Sequence, residues 1–339
     1  MFGLRSLPRT LEAALRDLRH AKNETRLSAL GDLVRLSETS DRARALAALC
    51  EVMDSDAELH VRAAAALALG DADAKESRQA LLAAARSGPV QVREMALAAL
   101  GEIADETDQE ARTLLNAARQ DAAPEMRFQA LIALNRVAHE TLLDELALAS
   151  RDLDAEVRQI AYRLAEEHVL EGAPLPEPLR QRARAALRDE VPSVRLAAAI
   201  LLARVGDKCG ADVIRAVVER KDRVASLEDE QAALELAGEL QISEARPALA
   251  RRAFGFFGLF RDPLAWHARV ALARLGDEQA KAAILRGLSA FTRDARTIAV
   301  AAAGRARLRE ARTILQRMTP AEADPETVAA ALLEIEALP

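Results

Sequence analysis

A chain of 339 residues has the length of two ordinary globular domains, and half of its residues are apolar. Aromatic residues make up only 3%, so a core has to be built from Ala, Leu, Val and Ile, and sparse Gly and Pro between helical patterns leave strands little room. The net charge of −6 is uneven, with 21 basic against 29 acidic residues over 1–170 and 26 against 24 over 171–339, and no basic stripe of the kind that grips a nucleic-acid backbone is visible.

Apolar residues recur at helical spacing in pairs of segments along the whole chain. The first pair is expected at 7–20 and 23–36, where Asn23 and Glu24 supply a cap and a favourable first-turn charge. Further pairs follow at 41–53 with 59–69, 74–86 with 89–103, 107–119 with 124–138, and 140–150 with 154–168. The second half continues with 176–188 and 192–205, 209–220 and 227–239, 244–254 and 264–275, 277–290 and 293–304, and 307–318 and 324–336. Asp54, Asp121, Asp152 and Asp189 fall in or beside the turns before second helices, where such residues bond backbone amides. Two joints depart from the pattern. Residues 170–178 form a Pro-rich link expected to bend the body. Residues 254–263 carry four of the seven Phe residues, with glycines that argue against continuous helix.

The second segments are copies of one unit. Pro89-Val90-Gln91-Val92-Arg93-Glu94-Met95-Ala96-Leu97-Ala98-Ala99-Leu100-Gly101 is its clearest form. Arg93 has equivalents at Arg26, Arg62, Arg127, Arg158, Arg195 and Arg296, with Glu230, Ala268 and Glu326 in the same slot of weaker copies. Successive anchors lie 28 to 38 residues apart, the period of helical solenoids. Three residues after every anchor stands Ala: Ala29, Ala65, Ala96, Ala130, Ala161, Ala198, Ala233, Ala271, Ala299 and Ala329. A small side chain there lets two helix backbones approach closely.

Glu156-Val157-Arg158 and Ser193-Val194-Arg195, each followed by Ala and a closing Leu-Gly in the clearest copies, resemble the HEAT-repeat (armadillo-like) family, including the short bacterial HEAT-like units of the phycobilisome lyase type. The resemblance covers essentially the full length. It implies an all-α fold, a right-handed α-solenoid superhelix of about ten HEAT-like helical hairpins running as one body over 1–339. It also implies that the anchor arginines are structural, bonded to a neighbouring turn or Asp. About function the family is nearly silent.

Catalytic signatures are missing from the sequence: there is no Walker-type Gly-rich loop, no Gly-x-Ser-x-Gly elbow and no His-Glu-x-x-His. The histidines His20, His60, His139, His168 and His267 fall in different repeats and are expected at surfaces or helix ends. His139-Glu140 is the single His-Glu pair, whereas the HEAT-like deoxyhypusine hydroxylases use several to hold iron. Cys50 and Cys209 stand apart, without Cys-x-x-Cys spacing. No cofactor and no metal are therefore expected. The opening residues carry no secretory signal and no run reaches membrane-spanning length. A cytoplasmic protein is expected, and 42 Arg against 5 Lys fits a GC-rich bacterial genome.

Positive evidence comes from the helix face turned away from the core. Positions one and five after the anchor should be polar on a solvated face. They read Phe128 with Ile132 and Leu196 with Ile200, flanking Gln159 with Arg163; Leu27 and Leu67 occur singly. These residues are expected to form a partner-binding strip on a concave face, the competing expectation being lateral packing between helices. Phe256, Phe257 and Phe260, beside Arg251, Arg252 and Arg261, are a second expected contact, for a partner protein or peripherally for a membrane, the competing expectation being a loop tucked against the solenoid with Trp266. The reading is a non-catalytic protein-binding scaffold. The alternative is a HEAT-fold enzyme or lyase-like protein acting on a protein or nucleic-acid substrate, including a DNA glycosylase using Trp266, Arg252 and Arg269.

Overall fold

The computed structural model describes residues 9–138, 142–224, 226–257 and 260–337, and of 256, 257, 260 and 261 the backbone alone. Its helices come in ten consecutive pairs: α1 (Leu11–Asp17) with α2 (Asn23–Leu36), α3 (Arg42–Ser55) with α4 (Leu59–Asp71), α5 (Arg78–Ser87) with α6 (Val90–Ile103), α7 (Gln109–Ala118) with α8 (Pro124–Val137), and α9 (Leu142–Ala149) with α10 (Ala155–Leu170). They continue as α11 (Glu177–Ala186) with α12 (Pro192–Arg204), α13 (Ala211–Val218) with α14 (Leu227–Glu239), α15 (Arg246–Phe254) with α16 (Ala265–Arg274), α17 (Glu278–Gly287) with α18 (Arg293–Arg305), and α19 (Arg312–Leu315) with α20 (Pro325–Glu336). Every expected hairpin is present. Two short strands are described, β1 (Phe256–Phe257) antiparallel to β2 (Phe260–Arg261), with Phe256 opposite Arg261.

The chain forms two compact units, Met1–Leu164 and Ala165–Pro339. In the first, each second helix packs on the next, α2 on α4 on α6 on α8. The first helices α5 and α7 touch far less closely, so the second-helix layer is the inside of that unit's curve. In the second unit the succession is α12, α14, α16, α18 and α20. The link at 170–178 contains the end of α10, Gly172 at φ +99° and the start of α11.

Small residues set the spacing of the second helices. Gly70 and Gly101 lie eight residues after Arg62 and Arg93. A Cβ on Gly101 would sit 2.8 Å from the Ala133 Cα, and one on Gly70 2.9 Å from the Ala99 Cα. Gly238 and Gly304 meet Ala271 and Ala331 in the same way. Nine of the ten expected small residues, Ala29 through Ala299, are fully buried. Ala329 is not: it is exposed, and the buried alanine of α20 is Ala331. Without an arginine to mark the slot, Glu326 misplaces the register. Counted from the start of α20, the anchor position is Val328.

Helix ends are satisfied locally. Asp108, Asp277 and Asp324 accept the amides of Ala111 (3.0 Å), Ala280 (2.8 Å) and Thr327 (2.9 Å). Asn23 is not a cap but the first residue of α2, and Lys22 precedes it without a side-chain cap bond. Six of the described second helices close with a left-handed residue: Asp73, Gly172, Gly206, Gln241, Gly276 and Arg307. The next amide then bonds five residues back, as from Ala74 to the Leu69 carbonyl (3.0 Å) and from Leu308 to that of Ala303 (3.0 Å).

The close approach of α6 and α8 is testable. Gly101→Ala should lower stability by about 1–3 kcal/mol through overpacking, although Ala is the better helix former. Gly31→Ala, on an exposed face of α2 with nothing within 4 Å of a new Cβ, should raise it by roughly 0.5–1 kcal/mol. Urea unfolding of both variants separates packing from propensity.

Candidate functional site

Most anchor arginines are bonded at both ends, whereas Arg62 donates, among the described residues, only to the Met53 carbonyl of its own hairpin (2.8 Å). The guanidiniums of Arg26, Arg127, Arg195 and Arg296 each donate to the carbonyl six residues back, in the turn of their own hairpin: His20 (3.0 Å), Asp121 (3.0 Å), Asp189 (2.7 Å) and Ala290 (2.7 Å). The same groups reach into the next hairpin, Arg26 to both oxygens of Asp56 (2.9 and 3.0 Å), Arg127 to Asp152 (2.7 Å) and Arg195 to Asp222 (2.7 Å). Arg93 pairs likewise with Asp121. Three of the receiving aspartates also accept the amide two residues on: Asp56 from Glu58, Asp121 from Ala123 and Asp152 from Asp154. One carboxylate thus shapes a turn and ties two repeats. Asp54, expected in such a turn, lies inside α3; Asp56 does the work.

Where the anchor slot holds Glu230, the charges are exchanged. Arg252, 5% exposed, donates to Glu230 (2.7 Å) and to the buried Asp262 (3.0 Å), and Arg220 also donates to Asp262 (2.9 Å). Arg252 is therefore committed to internal pairing and is not available to recognise a nucleic-acid base. Arg269 lies 4.7 Å from the Trp266 ring centroid and 5.7 Å from that of Phe254, a cation–π stack.

The expected partner strip is corrected at one end. Leu196 and Ile200 are fully buried, part of the core of the second unit with Ile214, Val217 and Leu234. From Leu196 to Leu202 helix α12 has no polar residue, and a helix apolar all round is enclosed. Phe128, Ile132, Gln159 and Arg163 are half-buried on α8 and α10 in the first unit. In the equivalent outward slots of the first unit stand Leu27, Ala63 and Glu94 one after the anchor, and Leu67 and Ala98 five after it. Leu67 is 39% exposed. The side chains of Phe256, Phe257, Phe260 and Arg261 lie outside the described residues, as do His139 and Glu140.

The second helices of the second unit carry a polar network instead. Glu235 accepts from Arg305 (3.0 Å) and is hydrogen-bonded to His267 Nδ1 (2.9 Å). Burial pushes the Glu235 carboxyl up, but His267 and Arg305 more than offset it and hold it below the ordinary value. One turn on, Arg274 bonds Glu239 (2.6 Å), and Arg204 bonds Glu166 (3.0 Å). This network has no apolar periodicity to announce it and was missed in the sequence; charged residues nine after the anchors (Arg204, Glu239, Arg305) are its only signal. His168, expected at a surface, is buried. No cluster of three metal-ligating side chains occurs among the described residues.

Two solved structures share this architecture. YibA of Escherichia coli is 18% identical, covering 79% of this chain and 93% of its own, with a TM-score of 0.55. Kap95p, solved bound to RanGDP, is 12% identical over 95% of this chain and 51% of its own, with a TM-score of 0.51. The fold is a HEAT-type α-solenoid. The chain spans about half the length of Kap95p. The CpcE–CpcF phycocyanin lyase complex of Nostoc sp. is 19% identical over 80% of this chain and 90% of its own, with a TM-score of only 0.37. No family model and no curated relative matches the sequence.

The HEAT ladder makes an acid-stability prediction. Hydrogen bonds from the Ala123 amide and then Arg93 hold Asp121 below its ordinary value. Glu76, bonded by Arg42, and Asp207, bonded by Cys209 and then Arg184, are held to about 2. Folded values below unfolded ones mean that unfolding takes up protons, so this stabilisation is present above about pH 4 and lost as pH falls through the folded values. The melting temperature should be level above about pH 5 and fall steadily toward about pH 2. Circular dichroism melts at several pH values check this; a rise on acidification would contradict it.

Proposed function

We propose that this protein is a non-catalytic scaffold that holds another protein against the outward face of its second helices. The carrying observation is the apolar set in the outward slots of the first unit's second helices: Leu27 on α2, Leu67 on α4, and Phe128 with Ile132 on α8, of which Leu67 is exposed and the others half-buried. Buried ladder residues hold those helices, so the face needs no rearrangement to present itself. Exposed apolar patches of this kind mark interaction sites, and an aromatic such as Phe128 is a suitable anchor. Kap95p, which shares the fold, binds RanGDP, and this supports the reading at the level of a protein partner. No helix among the described residues is long and apolar enough to cross a membrane, which suits the cytoplasmic location that belongs to this proposal.

Cross-linking capture from a native extract, compared between the wild type and variants, tests it. Leu67→Ser alone, and Phe128→Ala with Ile132→Ala, should each lose the captured protein. The exposed Leu67→Ser change should move stability by no more than about 0.5 kcal/mol. Unchanged capture with a large fall in melting temperature would make these side chains packing residues and remove the proposed face.

A further inference from the structure

Between the apolar residues of this face lies one carboxylate without a partner. Glu94, on α6, occupies the slot that holds Ala63 on α4 and Phe128 on α8; Leu67, Ala98 and Ile132 stand one turn further along the same three helices. It is half-buried and makes no hydrogen bond or ion pair among the described residues. This sets it apart from Glu102 on the same helix, which pairs with Arg136, and from the ladder acids, all of which are bonded. Burial, then the negative charge of Glu125 on α8, pushes its carboxyl above the ordinary value. An acid so placed costs free energy unless a cation meets it, and none of the described residues supplies one.

We propose that the partner segment seated on this face is cationic and amphipathic, its apolar side chains covering Leu67, Phe128 and Ile132 while a Lys or Arg enters between them to pair with Glu94 and Glu125. The inference rests on the scaffold reading and names the chemistry of its partner. Charge complementarity favours that occupant over an acidic segment, since residues 1–170 carry 29 acidic against 21 basic side chains. A cation paired here would be partly withdrawn from water, where such a bond is stronger than on an open surface.

Two labelled synthetic amphipathic peptides of equal length, one of Leu and Lys and the other of Leu and Glu, are the probes, read by fluorescence anisotropy on the full chain at physiological ionic strength. The Leu–Lys peptide should bind and the Leu–Glu peptide should not. Glu94→Gln should weaken binding roughly tenfold without lowering the melting temperature. Glu106→Gln, an exposed loop acid, should leave binding unchanged. Equal weakening by both substitutions would reduce the effect to general charge and overturn the proposal. So would binding insensitive to Glu94→Gln: if Leu67→Ser still weakens it, the face stands and the cation pairing fails, and if neither variant has an effect, the docking face fails with it.

Discussion

The guanidinium of each anchor arginine lies between two hairpins, and the regularity of the stack depends on that position. It donates backward into its own hairpin, and Arg26, Arg93, Arg127 and Arg195 also donate forward to the aspartate that opens the next second helix. A single ion pair on a surface stabilises little. Here Arg26 and Asp56 are nearly buried, at 10% and 8% side-chain exposure, and the remaining hydrogen-bonding capacity is taken up by backbone groups. That is the condition under which withdrawing two charges from water is offset. Removing either partner leaves a charge with no solvent to receive it. The arrangement of Arg252 between Glu230 and Asp262 shows that the bond matters more than the residue order, because the charges change places and the link persists.

Register follows from that link. With hairpins fixed at their turns, the other ends of the second helices close on one another through Gly70, Gly101, Gly238 and Gly304, where no side chain larger than hydrogen fits. Polar turns and small residues inside the stack leave most of the residues one and five after the first unit's anchors pointing outward. Along α2 to α8 those residues are largely apolar. In the second unit the corresponding region is a chain of Arg, Glu and His pairs around Glu235. The two units therefore present different chemistry from one repeat plan, and the apolar one is where the scaffold proposal is placed.

Much of the fold was legible because its determinants are local and periodic. Arginine and alanine recur at fixed offsets, turn aspartates precede the second helices, and apolar spacing marks the pairs. The failures have physical causes. Glu326 could not mark a register that only an arginine–aspartate contact defines, so Ala329 was taken for Ala331. Leu196 and Ile200 occupy outward slots by angle, yet the uninterrupted apolar run of α12 encloses them; weighing the whole helix rather than two positions would have shown it. Asp54 and Asp56 are indistinguishable in composition, and only the place where α3 ends decides between them. The Glu235–His267–Arg305 contacts join three hairpins through residues far apart in sequence, with no repeat motif to connect them.

The central claim is that arginine and aspartate couple neighbouring repeats, and a double-mutant cycle on Arg127 and Asp152 measures it most directly. Urea unfolding of Arg127→Ala, Asp152→Ala and the double variant isolates the pair, because the cap from Asp152 to the Asp154 amide is lost equally in both arms and cancels. A coupling of about 1–3 kcal/mol is predicted for a partly buried, multiply bonded pair. Additivity within about 0.3–0.5 kcal/mol would contradict the account and leave the stack held by apolar packing alone.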